Sequence, residues 1–343
     1  VAMMAIVLIF MMMYRNPAVA LMPDITPKPL RAKANGIINI MGYFGGAFAT
    51  VLGIFLPLSN YINADDAARK VWTIEIPFLV ASVLMVISAM VLFFTIRENK
   101  VAEEMKEQMA EGERLAAVET PIDDDQPMSK ANKTMLLAIL GAEFLWFMAD
   151  NAIGTYIGNY VIYYMNSSSS ATMVLTIAGG LASVIGFAIA GAIADKIGRK
   201  WTISFGLGLT FLALVFMCFV KPTGRVVGAH GEFAFPAALY VVWVLKGFGM
   251  ALVHNCSFPM VVEMCRGSDI GRFTGYYYTF SMVAQVVTPI VAGSLMRHVS
   301  YTVLFPYAAL FVALSFVTMI FVKHGDNKPE ARRGLDAFED LDD

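Results

Sequence analysis

Charge is scarce in this chain of 343 residues: 15% are Asp, Glu, Lys or Arg, against 58% hydrophobic. So little polar surface excludes an ordinary water-soluble domain. Cysteine is equally sparse, and Cys218, Cys256 and Cys265 lie far apart in or beside apolar runs. Without CxxC or metal-ligand spacing they exclude a disulfide scaffold and a metal site, and they read as free buried thiols. No basic cluster is interleaved with aromatics, and the net charge is only −2, so nucleic acid is not an expected partner. No phosphate-cradling loop, metal-ligand set or nucleophile motif occurs, so neither an enzyme nor a cofactor is expected. A basic leader is missing too: the first residue is Val, inside an apolar run, so no cleavable signal is expected and the beginning reads as cut off.

What the chain has is membrane-length apolar sequence. Spanning runs fall near residues 1–22, 36–58, 72–96, 134–160, 171–194, 201–220, 236–262, 273–296 and 301–322, which predicts an all-α polytopic membrane protein with nine spans in a lipid bilayer. The 23 methionines suit irregular helix contacts. A polar connection, 97–133, separates three spans from six and reads as a solvated linker, although 101–118 has the pattern of a surface helix. The expected organisation is therefore an incomplete N-terminal half (1–96), a linker (97–133), a six-helix half (134–323) and an acidic tail (324–343).

Lys and Arg concentrate in the connections at 23–35, 97–133, 195–200 and 263–272 and in the tail, whereas Arg69, Lys70, Lys221, Arg225 and Arg297 are the bases on the opposite side. The richer side, with the C-terminus, is expected to be cytoplasmic. An internal repeat runs through the same regions. At an offset of 239 residues Asp24 falls on Glu263, Lys33 on Arg272 and Gly36 on Gly275, while Arg15 and Asn16 fall on His254 and Asn255. The first three spans then match the last three, and the symmetry leads us to expect three further spans ahead of Val1.

A segment with membrane length carries two carboxylates, Glu143 and Asp150, seven residues apart on one helical face with Phe147, Asn151, Gly154 and Gly158. A central Asp costs at least ~2.5–3.5 kcal/mol to insert, so such groups survive where they face a cavity or a partner. Lys246 and His254 carry charge into another span and Arg15 into a third. At 1.5 Å per residue Glu143 and Lys246 each lie roughly 13 Å inside their helix ends, which predicts that they pair. His254 offers a further proton relay, since an unperturbed imidazole titrates near ~6.5.

The loop Asp195-Lys-Ile-Gly198-Arg199-Lys200 resembles the D-x-x-G-R-R/K signature of the major facilitator superfamily. Residues 14–46, YRNPAVALMPDITPKPLRAKANGIINIMGYFGG, and 258–265, FPMVVEMC, are similar to the glycoside/cation symporters, in particular their sucrose/proton symporter-like branch. The resemblance implies a twelve-helix fold of which helices four to twelve are present, with four, seven and ten lining the cavity. Those are the spans of Arg15, of Glu143 and Asp150, and of Lys246 and His254. It further implies that Asp24, Arg31, Lys33, Asp195, Gly198, Arg199, Glu263 and Arg272 form a cytoplasmic gate that latches the outward-open state. The function implied is proton-coupled uptake of a disaccharide or related glycoside across the plasma membrane, with Na⁺ the alternative coupling ion. Forked donors and acceptors for sugar hydroxyls would come from Arg15, Asn16, Asn151, Asn255 and Gln285, and an apolar ring face from Trp146, Phe147 or Tyr156. A proton-driven exporter of small hydrophobic compounds, and a non-transporting sensor or inactive fragment, are the competing readings.

Overall fold

The computed structural model describes Phe10, Met13 and residues 17–27, 30–55, 67–95, 97–117, 130–227, 231–264 and 270–322. Apolar side chains fill most of these segments outside 97–117, and in lipid a backbone can satisfy its polar groups only within itself, so they coil into helices. In order they are α1 (Arg31–Phe55), α2 (Ala67–Thr95), α3 (Glu98–Glu104), α4 (Lys106–Ala117), α5 (Lys130–Asn159), α6 (Ser169–Ile197), α7 (Arg199–Phe219), α8 (Ala237–Glu263), α9 (Ile270–His298) and α10 (Leu304–Ile320). A wider π turn, Tyr160–Tyr164, extends α5. Among the described residues seven helices are long and apolar enough to cross a membrane: Phe78–Thr95 of α2 and most of each helix from α5 to α10. The expected span at 36–58 corresponds to the 25-residue α1, and the expected span at 1–22 lies largely outside the described residues. The linker departs from a plain solvated loop, because α3 and α4 form within it.

α5 to α10 pack into one bundle. α8 lies between α6 and α7, and α5 lies against α9 and α10. α1 joins this bundle through α6 and α8. Small residues set how closely the helices approach. At Gly247 a Cβ would come within 2.6 Å of the Gly179 carbonyl oxygen, and at Gly186 within 2.7 Å of the Ala251 Cβ. α6 and α8 therefore cross nearly backbone to backbone. Within the ridge Ala182, Gly186, Ala190, Ala194, it is Gly186 that meets α8 at this crossing. A Cβ added at Gly42 or Gly46, which share its spacing, would have nothing within 4 Å among the described residues. Cys256 is buried, whereas Cys218 is exposed, because it falls on the outward face of α7 and not its packed face.

One residue, Gly198, makes the corner between α6 and α7. Its φ of 90° and ψ of 155° form a backbone region almost restricted to glycine. Its N–H bonds to Ala194 O at 2.8 Å, and its carbonyl accepts from both the N–H and the hydroxyl of Thr202. Gly198→Ala is expected to cost about 1–3 kcal/mol, the strain of holding a side chain there. Thermal unfolding in detergent measures it, and an unchanged midpoint would show that the corner does not need glycine.

Proline shapes the junction between α1 and α8. Pro259 lies inside α8 and has no N–H to give the carbonyl four residues earlier, that of Asn255. Asn35 of α1 supplies the missing donor: its Nδ2 bonds to Asn255 O at 2.8 Å and to His254 O at 3.2 Å. Asn255 reciprocates, its Nδ2 donating to Ala32 O at 3.1 Å. Gly36 fits the same seam, where a Cβ would come within 2.9 Å of Phe187 O.

Candidate functional site

α5 and α8 bring charge together in mid-span. Lys246 Nζ of α8 lies 2.5 Å from Asp150 Oδ1 of α5, and His254 Nε2 lies 3.6 Å from Asp150 Oδ2. Lys246 and His254 are eight residues apart on α8, close to two full turns, so both side chains leave the same face and meet one carboxylate. The cluster is partly open, with side-chain exposure of 31% at Asp150, 12% at Lys246 and 18% at His254.

Aromatic rings frame the three groups. Phe147, one turn before Asp150, packs against the His254 ring with centroids 5.0 Å apart. Lys246 sits 5.5 Å from the Trp243 ring centroid, near enough for a cation–π contact. Trp243 in turn fills the space beside Gly179, where a Cβ would come within 2.6 Å of its indole nitrogen. Tyr43 of α1 approaches from the other side: its hydroxyl meets Ser183 and lies in the field of Asp150 and Lys246, and its ring packs on Phe187. Trp243 and Tyr43 were not among the expected site residues. Trp243 had a usable signal, because an aromatic three residues before an intramembrane Lys shares its helical face.

The expected pairing of Glu143 with Lys246 is not formed; Lys246 takes Asp150. Seven residues of helix advance about 10.5 Å, and the packing of α5 on α8 sets Lys246 at the level of Asp150. Glu143 is left wholly buried, and neither of its carboxylate oxygens has a hydrogen-bond partner among the described residues. The expected sugar-binding amides also separate. Asn255 is fully buried in the α1–α8 junction, and Asn151 donates to Phe147 O in its own helix. Gln285 stands half-buried on α9. Arg15 and Asn16 lie outside the described residues. Of the candidate rings, Trp146 is buried in the core and the Tyr156 hydroxyl is tied to Pro289 O, which leaves Phe147 at the cluster.

At the end of the bundle rich in bases, Lys33 of α1 and Asp195 of α6 form an ion pair at 2.9 Å. The Lys33 stem crosses Gly191, where a Cβ would come within 2.9 Å of Lys33 Cγ. With Lys33 54% exposed, the pair adds at most about 1 kcal/mol to stability. Arg31 is buried and donates to Pro23 O and Thr26 O, clamping the turn ahead of α1. Arg199 is buried, Asp24 half-buried. Arg272 donates to the Tyr276 hydroxyl at 2.7 Å on its own helix. The side chain of Glu263 lies outside the described residues.

Two solved structures are similar in fold at low identity. The proton:xylose symporter XylE of the major facilitator superfamily, bound to 6-bromo-6-deoxy-D-glucose, superposes with a TM-score of 0.62 at 14% identity, covering 90% of this chain and 68% of that one. FucP, a transporter of the same superfamily in its outward conformation, gives 0.60 at 13%, covering 90% and 72%. No curated protein matches the chain. The model of the Major Facilitator Superfamily matches residues 1–223 and again 135–339. With an all-helical bundle, a charged cluster in mid-span and a family model that covers nearly every residue, the chain belongs to the major facilitator superfamily of integral membrane transporters.

Proposed function

We propose that the chain is a secondary active transporter that moves a sugar, a disaccharide or related glycoside, together with a proton by alternating access. The observation that carries this reading is the convergence of Lys246 and His254 on Asp150. A carboxylate held by two basic side chains changes its partners when it takes a proton, which gives substrate binding a means of sensing protonation. The likeness to a proton:xylose symporter supports both the sugar and the ion, and the similarity of residues 14–46 and 258–265 to the sucrose/proton symporter-like branch supports a glycoside. Residues 1–96 and 134–323 act as two rocking halves joined by 97–133, in the plasma membrane with the C-terminus cytoplasmic. The Lys33–Asp195 pair, together with Asp24, Arg31, Gly198, Arg199, Glu263 and Arg272, serves as the cytoplasmic gate that parts when the halves rock.

The test is sugar-evoked proton uptake in proteoliposomes, with a panel of disaccharides and monosaccharides offered outside and a pH-sensitive dye inside. Wild-type protein is expected to acidify the lumen with at least one sugar. Asp150→Asn is expected to abolish sugar-driven acidification and accumulation while retaining exchange of labelled sugar down its gradient. Wild-type accumulation by Asp150→Asn would remove the cluster from coupling.

A further inference from the structure

Neither the cluster nor the gate uses Glu143. α5 enters the bundle from the base-rich end, so Glu143, seven residues before Asp150 on the same helical face, stands about 10.5 Å nearer that end. Asp150 keeps 31% of its side-chain exposure, and Glu143 has none. Beyond His254 toward the same end, Asn255, Ser257 and Phe258 of α8 and Tyr277 of α9 are all buried, with the Ser257 and Tyr277 hydroxyls 2.9 Å apart. Glu143 therefore belongs to a sealed layer beneath the cluster. Both its carboxylate oxygens lack a hydrogen-bond partner among the described residues, as does the Trp146 indole nitrogen one turn on.

The titratable groups that the helices packed against α5 carry in mid-span are engaged elsewhere. Lys246 and His254 of α8 take Asp150, and Cys256 is buried. On α9 Tyr277 meets Ser257 and Tyr278 packs on Phe258. Tyr307 of α10 packs on Phe311, and α6 carries its acid and base, Asp195 and Lys196, only at its end. A carboxylate with no cation or donor beside it would be a bare buried charge, a state that such a group leaves by holding a proton.

We infer that Glu143 is a second proton-binding site, filled from the base-rich end, whose proton keeps that end closed. This rests on the alternating-access reading above. In the closed form the carboxyl is neutral within the dry layer. When the helices part at that end, water reaches the layer and the carboxyl releases its proton to the side it came from, and closure requires that proton back. The proton of Asp150 crosses with the cargo, whereas that of Glu143 returns to the side it left and adds nothing to the number of protons moved per cargo. Linkage sets the sign: the closed form binds the Glu143 proton more tightly than the open form, so acid on that side favours closure and alkali favours opening, by up to about tenfold per pH unit. A carrier that brings protons inward thereby slows its own release step as the compartment it fills turns acid.

Two measurements on the purified protein in lipid nanodiscs need no cargo. The infrared difference between wild type and Glu143→Gln at about pH 7 is expected to contain the carbonyl stretch of a protonated carboxyl free of hydrogen bonds. Amide hydrogen exchange at the base-rich ends of α1 and α8, residues 30–36 and 254–263, is followed from about pH 5 to about pH 9, which brackets an ordinary and a deeply buried Glu. Dividing each wild-type rate by that of Glu143→Gln at the same pH cancels the chemical dependence of exchange on pH and leaves the opening equilibrium. The ratio is expected to be near unity at the acid end and to rise at least about tenfold at the alkaline end. Glu143→Met, apolar and similar in volume, is expected to be as unresponsive as Glu143→Gln. A ratio that stays flat, or a missing carboxyl band, would overturn the inference.

Sugar-evoked proton uptake in proteoliposomes separates this site from coupling. The number of protons moved per sugar is expected to be equal in wild type and Glu143→Gln. A smaller number in the variant would make Glu143 a carrier of the coupled proton and overturn the role given to it here. Absence of proton movement with every sugar would overturn the symporter reading alone, since a carboxyl band together with a rising exchange ratio would still establish Glu143 as the group that holds this end closed.

Discussion

Lys246→Met is expected to lower the stability of the folded protein by about 3 kcal/mol and to abolish ion-driven accumulation. Removing one member of a buried pair leaves the other charge uncompensated, a loss of about 3–5 kcal/mol. The lower end applies because the Asp150 side chain keeps 31% of its exposure. After the change Asp150 retains, among the described residues, the His254 contact at 3.6 Å. The double variant Asp150→Asn/Lys246→Met is expected to regain most of the lost stability and none of the transport, since it removes both charges along with the coupling they perform. Thermal midpoints in detergent and uptake in proteoliposomes give the two readouts. If both single variants melted with the wild type, the pair would not hold α5 against α8. If the double variant accumulated substrate, the pair would not couple.

Gly247→Ala is expected to disable transport through geometry alone. The added methyl would lie 2.6 Å from the Gly179 carbonyl oxygen, with the Gly179 Cα at 3.2 Å. These are backbone atoms and cannot swing aside, so α6 and α8 must separate. Overpacking of this kind costs about 1–3 kcal/mol. The larger effect is positional, because Gly247 adjoins Lys246 and Gly179 abuts Trp243, the ring over which Lys246 lies. A displacement of about 1 Å at a positioned group can cost a hundredfold in rate. Gly42→Ala, where the new methyl meets nothing within 4 Å among the described residues, is the control and is expected to melt and transport as wild type. Equal behaviour of the two variants would show that the α6–α8 crossing does not position the site.

The reach of the sequence is visible in these same residues. Lys246, Asp150 and His254 were legible because lipid makes ionisable groups expensive, so each marked itself against its apolar neighbours. Their pairing was not legible. Glu143 and Asp150 share a helical face, and only the level at which α5 packs on α8 decides which of them Lys246 meets. Spacing likewise could not separate the ridge through Gly186, where an added Cβ would meet Ala251, from the one through Gly42 and Gly46, where it would meet nothing within 4 Å among the described residues. Small residues at four-residue intervals permit close approach without requiring it. Asn255 read as a sugar ligand because an amide offers both a donor and an acceptor to sugar hydroxyls. That its partner is Ala32 O depends on where α1 docks, and the carbonyl that Pro259 frees is visible only once helix and proline are set side by side.

That carbonyl bears on what opening requires. Asn255 O has no donor within its own helix, and Asn35 reaches it from a different helix. If α1 draws away, the oxygen stays in place and needs another hydrogen-bond donor, and leaving it bare would cost about 1–3 kcal/mol. Water is the donor that can arrive from the aqueous side. On the alternating-access reading proposed above, parting of α1 from α8 would wet the seam, and hydration of this one peptide oxygen would set part of the barrier between closed and open forms.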